Sequence, residues 1–108
     1  MKFQHKEAAE GRWFKLSLME QMANIGSEVI RAINWRKKGN KEYSKMAFER
    51  ALELFDLTLM DPKNKHRLRE IARARELFAD FLAGENIYHS SDEGWERYFY
   101  TFNTAARN

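Results

Sequence analysis

The chain contains no cysteine. A disulfide framework, a thiolate metal site and a cysteine nucleophile are therefore excluded, and a reducing compartment, the cytoplasm, is the expected location. No apolar run approaches the roughly 20 residues that a helix needs to cross a bilayer, so no membrane span is expected. Residues 1–10 lack the apolar segment of a secretory signal. Several enzyme signatures are missing as well: there is no P-loop, no Gly-x-Gly-x-x-Gly and no Gly-x-Ser-x-Gly. The three histidines, His5, His66 and His89, are scattered and suggest no catalytic triad. Accordingly, no catalytic residue, no cofactor site and no metal site is expected.

Proline and glycine are scarce: one proline, Pro62, and five glycines that fall mostly near breaks in the pattern. Between those breaks the apolar residues recur at steps of three and four, with no strand-like alternation. The pattern predicts an all-α fold of one domain spanning 1–108. It is an antiparallel up-down-up-down four-helix bundle with helices over 12–37, 41–60, 64–83 and 92–106. A composition 44% hydrophobic and 14% aromatic is enough to fill its core.

Local signals sharpen these limits. Leu16, Met19, Ala23, Gly26, Ile30 and Ile33 form the seam of the first helix, where Ala23 and Gly26 would admit a close neighbour. Asp61-Pro62 is the clearest boundary, since proline disfavours helical geometry in the residue before it. Ser90 with Glu93 three residues later reads as a capping box for the last helix. At 1.5 Å per residue the first helix would reach about 39 Å and the last about 24 Å. The excess must overhang, curve or meet a second subunit.

Charge is distributed unusually. The net charge is only +3, yet 63–75 carries six bases against one acid, and 76–93 carries five acids and no Lys or Arg. A helix dipole favours the opposite order, acids first. A neighbouring helix, a second subunit or an anionic ligand must account for it. Antiparallel self-pairing of two copies would do so, and a homodimer is the expected assembly. Lys63, Lys65, Arg67, Arg69 and Arg73 are candidate contacts for phosphates of a nucleic acid.

Two further constellations stand out. Trp13, Ser17, Asn24, Glu28, Arg31 and Trp35 fall within about 40° of one another on the first helix. Tryptophan and arginine are favoured interface anchors, so Trp13, Asn24, Glu28, Arg31 and Trp35 form a candidate interaction face. Arg75 sits at a seam position between Ile71 and Phe78, and Arg50 borders the apolar sector of the second helix. Buried guanidinium groups need carboxylates, which predicts an interior ion-pair network among Glu28, Arg50, Glu53, Arg75 and Glu76. Glu49, Glu53 and Asp56 form an acidic stripe, expected to be solvated and to pair with Arg50 or with arginines of the third helix. A carboxylate metal bundle would also need Glu-x-x-His on facing helices, and the chain has none.

The bundle is also analogous to HEPN ribonucleases, whose hallmark is an arginine followed a few residues later by a histidine. No arginine precedes His5, His66 or His89 at such spacing, so a HEPN-like bundle here would be a non-catalytic helical partner. The segments 20–29, 50–58, 75–77 and 84–86 resemble a family of small uncharacterised prokaryotic helical proteins over 16–107. That resemblance implies a shared helical fold and no activity. The combined expectation is a non-enzymatic interaction or assembly module. The alternative is a nucleic-acid-binding accessory protein.

Overall fold

A computed structural model describes residues 11–107; His5 and the rest of the stretch 1–10 lie outside the described residues. Four α-helices and two short 3₁₀ turns make up the described residues, with no strand among them. The helices are α1 (Leu18–Lys37), α2 (Lys41–Met60), α3 (Leu68–Ala83) and α4 (Asp92–Arg107). One 3₁₀ turn, Trp13–Lys15, precedes α1, and the other, Pro62–Arg67, precedes α3.

The first helix is shorter than its periodicity predicts. Leu16 is extended, and Ser17 caps α1 in a capping box with Glu20: Glu20 N–H donates to Ser17 Oγ at 3.1 Å, and Ser17 N–H donates to Glu20 Oε1 at 3.0 Å. The Ser17 N–H, followed by its hydroxyl, holds the Glu20 carboxyl below the usual carboxylate range. A 20-residue α1 is about 30 Å long, so the expected overhang does not arise. Residues 13–15 instead fold back over the end of α2.

At its other end α1 closes in a Schellman motif. Asn40 N–H donates to Trp35 O at 2.9 Å, Gly39 N–H donates to Arg36 O at 3.0 Å, and Gly39 takes φ +80°. The same Asn40 opens α2, its Oδ1 accepting from Tyr43 N–H at 3.0 Å. One residue thus stops a helix and starts the next, which fixes a tight reversal. Ser44 Oγ then donates to Ala32 O at 2.7 Å and Asp61 meets Gln21, so α2 runs antiparallel to α1.

The third helix is also shorter than predicted. Pro62 and the Asp61 side chain, whose Oδ1 accepts from Lys63 N–H at 3.1 Å, start a 3₁₀ run through Arg67 before α3 begins. The cap of α4 differs from expectation by one residue. Ser91 Oγ, not Ser90, accepts from Gly94 N–H at 3.0 Å. The Ser90 backbone is instead tied to Asn86, its N–H donating to Asn86 Oδ1 at 2.9 Å and its carbonyl accepting from Asn86 Nδ2 at 3.0 Å.

Glycine decides how α1 meets α4. A Cβ built on Gly26 would lie 2.8 Å from Phe99 Cβ, so only glycine allows this approach. Arg36 of α1 bridges Asp92 at 2.9 Å near the start of α4, which makes these two helices antiparallel as well. Trp95 joins α4 to α3, with its ring 5.7 Å from Phe78 and 6.4 Å from Phe81. Met22, Ile25, Val29, Ile33, Phe55, Leu57, Ile71 and Phe78 complete the buried centre.

A polar hub closes one end of the bundle. Gln21 Nε2 donates to Trp13 O at 3.1 Å and to Asp61 Oδ2 at 2.8 Å. Asn64 Nδ2 donates to Gln21 Oε1 and to Thr58 O, each at 2.9 Å. Trp13 Nε1 donates to Thr58 Oγ1 at 3.0 Å. All five side chains are buried, and the hub ties both 3₁₀ turns to α1 and α2.

Burial alone would raise the Asp61 carboxyl, but hydrogen bonds from Lys63 and Gln21 outweigh it and hold the pKa below the ordinary value. A depressed carboxyl stabilises the fold fully above its unfolded value of about 3.9, and that contribution is lost as pH falls through the lower folded value. Urea midpoints followed from about pH 5 to pH 2 are expected to fall on the acid side, and Asp61→Asn to flatten that fall. An equal acid loss in Asp61→Asn would assign the sensitivity to other carboxylates.

Candidate functional site

The tight reversal between α1 and α2 places aromatic side chains of both helices together at the surface. The Trp35 and Tyr43 rings meet edge to face, with centroids 4.9 Å apart. Arg31, Trp35, Tyr43, Met46 and Arg50 line a shallow hollow of about 240 Å³. Tyr43 is 47% exposed and Met46 41%, so this apolar centre is open to a partner. Lys38 Nζ lies 5.1 Å over the Trp35 ring.

Glu28 organises the arginines beneath it. Its Oε1 accepts from Arg31 Nη1 at 3.0 Å, while its Oε2 lies 3.9 Å from Arg50 Nη1 and has no hydrogen bond. Arg50 is therefore held by charge at long range, and its donors remain available. Glu42 and Glu49 are exposed on α2, seven residues apart and on the Met46 side. The face thus has Arg31 of α1 and Arg50 of α2 about its hollow, an apolar centre and, on the outer side of α2, Glu42 and Glu49 with Lys45 beside them.

Of the predicted interaction face, Glu28, Arg31 and Trp35 converge here. Trp13 does not, because it precedes the Ser17 cap and is buried at 5% exposure. Asn24 is exposed on α1, with its Nδ2 donating to Glu20 O at 2.8 Å. Tyr43 and Met46 join the face from α2, and the aromatic step from Trp35 to Tyr43 across the Gly39 turn is its signal in the sequence.

Half of the predicted interior network is redrawn. Glu28 and Arg50 approach each other, but Arg75 pairs with Asp56, with Nε to Oδ1 at 2.8 Å and Nη2 to Oδ2 at 3.3 Å. Arg75 is half-buried, not interior. Glu76 accepts from Tyr88 OH at 3.0 Å and makes no bridge to Arg75. Glu53 is half-buried on α2.

The reversed charge order finds its partners inside the chain. Residues 63–93 are not one helix: three of the bases, Lys63, Lys65 and Arg67, lie in the 3₁₀ run before α3. Lys63 binds Asp61 and Phe14 O, Arg67 binds Glu70 at 2.6 Å, and the Arg73 guanidinium lies 5.0 Å over the Tyr88 ring. Asp80 accepts from Ile87 and Tyr88 N–H at 3.0 and 3.2 Å, which fastens the loop after α3. Lys65 and Arg69 are the exposed members of the predicted phosphate-contacting set with no such tie.

Among the described residues, no group of three or more His, Asp or Glu side chains is placed to hold a metal ion. No helix among them is long and apolar enough to cross a membrane. No protein-family model, curated protein or solved structure matches this chain.

Proposed function

We propose that the protein is a non-enzymatic helical interaction module that self-associates through the α1–α2 face. The observation that carries this reading is the Trp35–Tyr43–Met46 cluster, with Tyr43 and Met46 exposed and Trp35 half-buried, flanked by Arg31 and Arg50 on one side and by Glu42 and Glu49 on the other. A two-fold contact requires a patch complementary to itself. Arginines on one side of an apolar centre and carboxylates on the other meet that requirement, because rotation sets each against its opposite. Aromatic and arginine anchors then dominate the energy. Cytoplasmic location accompanies this reading.

Sedimentation velocity at micromolar concentration and low salt is expected to detect a dimer. Trp35→Ala should weaken it by at least ten-fold, the loss typical of a central aromatic anchor. A dimer unaffected by Trp35→Ala would place the contact elsewhere.

The alternative, an accessory protein contacting nucleic-acid phosphates through 63–73, has less support. Lys63, Arg67 and Arg73 are engaged within the chain, which leaves Lys65 and Arg69 to carry it.

A further inference from the structure

A second surface, on the far side of the sequence from the α1–α2 face, has the makings of a ligand site. Between α3 and α4 lies a groove of about 400 Å³, whose lining includes Arg73, Ala74, Leu77, His89, Trp95 and Tyr98. That volume falls within the range of small-molecule sites. Two of these side chains carry buried polar atoms without a hydrogen-bond partner, Trp95 Nε1 and Tyr98 OH. Trp95 is only 6% exposed. Native interiors satisfy nearly all such groups, so two orphans on one groove point to something that belongs between them and solvent.

Their chemistry restricts the occupant. An indole N–H donates only. Burial, then the nearby Glu70 charge, pushes the Tyr98 phenol up to about 12, so it keeps its proton throughout the physiological range. Arg73 brings a guanidinium whose recorded contact is the Tyr88 ring, with no carboxylate bound to it. The one acid on the lining, Glu70, is held by Arg67 at 2.6 Å. Ser91 and Gly94, joined by the cap bond, bring the first turn of α4 to the same groove, where Asp92 and Glu93 already answer the helix dipole. The unmatched groups on the lining are thus two donors and the Arg73 guanidinium, over a floor of Ala74, Leu77 and the Trp95 ring.

We propose that the α3–α4 groove binds a small carboxylic acid with an apolar body. Its carboxylate faces Arg73, its body covers Ala74 and Leu77, and its oxygens accept from Trp95 Nε1 and Tyr98 OH. The proposal is independent of self-association, which uses the opposite pair of helices.

The test uses the full ¹⁵N-labelled chain and the indole N–H resonances of Trp13, Trp35 and Trp95. The probes are 4-hydroxybenzoate, phenylacetate and hexanoate, each beside its amide. At least one acid is expected to move the Trp95 signal while leaving Trp13 and Trp35 in place. Its amide should bind about ten-fold more weakly, and Arg73→Gln should cost a similar factor. Arg73 is exposed, so that variant should keep the fold. A Trp95 signal unmoved by all three acids at about 10 mM, a concentration that detects even millimolar affinity, would overturn the proposal and leave the two donors to water. Equal binding of acid and amide, or no effect of Arg73→Gln, would overturn it too.

Discussion

Replacing Gln21 with leucine is expected to lower the unfolding free energy by about 3–4 kcal/mol, although leucine is apolar and close in size. The side chain has no solvent exposure and makes three hydrogen bonds, to Trp13 O, to Asp61 Oδ2 and from Asn64 Nδ2. Leucine would leave each partner short of one bond at a site that water does not reach. An unmatched buried group costs about 1–3 kcal/mol, and more where a charged group such as Asp61 loses a donor. The fold would be weakened first at the Trp13 turn and the Pro62–Arg67 run, which the hub ties together beside the Lys63 bond to Phe14 O. Urea unfolding monitored by circular dichroism checks the size. Asn64→Leu should be similarly harmful, and the double variant less harmful than the sum, because the two share one bond. Strict additivity would mean that the hub does not act as a unit.

Gly26→Val is the other large effect. Glycine normally weakens a helix by roughly 1 kcal/mol relative to alanine, so on α1 taken alone a substitution would stabilise. At this position the new Cβ would stand 2.8–2.9 Å from Phe99 Cβ, Cγ and Cδ1. Phe99 is 3% exposed and packs on Trp95 and Phe102, so it has little room to yield. Overpacking of this kind costs about 1–3 kcal/mol, and the two further methyl groups of valine place the loss at or above the upper end. Gly26→Ala should lose less, since its helix-forming gain offsets part of the clash. Thermal melts should rank wild type, alanine and valine in that order. A stabilised alanine variant would mean that α4 can move away from α1 without cost.

That glycine was legible in the sequence, because Ala23 and Gly26 were small residues on an otherwise large seam. The Asp61-Pro62 boundary and the need of Arg75 for a carboxylate were legible for similar reasons: each is a local constraint that holds whatever the fold. The start of α1 was not. Leu16 and Met19 continue the helical step through Ser17, so periodicity ran past the capping box and carried Trp13 onto the wrong surface. Asp56 was legible as one of an acidic stripe that would pair with Arg50 or with arginines of the third helix, but which arginine it takes, Arg75, depends on how that helix packs.

The hub and the α3–α4 groove were harder still. Gln21 occupies a row otherwise continued by Ile25 and Val29, which was a usable signal of a buried polar group. Its partners come from three other segments, and nothing local brings them together. Whether the Trp95 indole N–H finds an acceptor likewise depends on α3.

The most direct test of self-association is a charge swap across the α1–α2 face, followed by sedimentation equilibrium in low salt. Arg31→Glu should dissociate the dimer by setting like charges against the α2 edge of the other copy, and Arg31→Glu with Glu42→Arg and Glu49→Arg should restore it. Wild-type protein that stays monomeric well above micromolar concentration, or a swap that fails to rescue Arg31→Glu, would contradict the account.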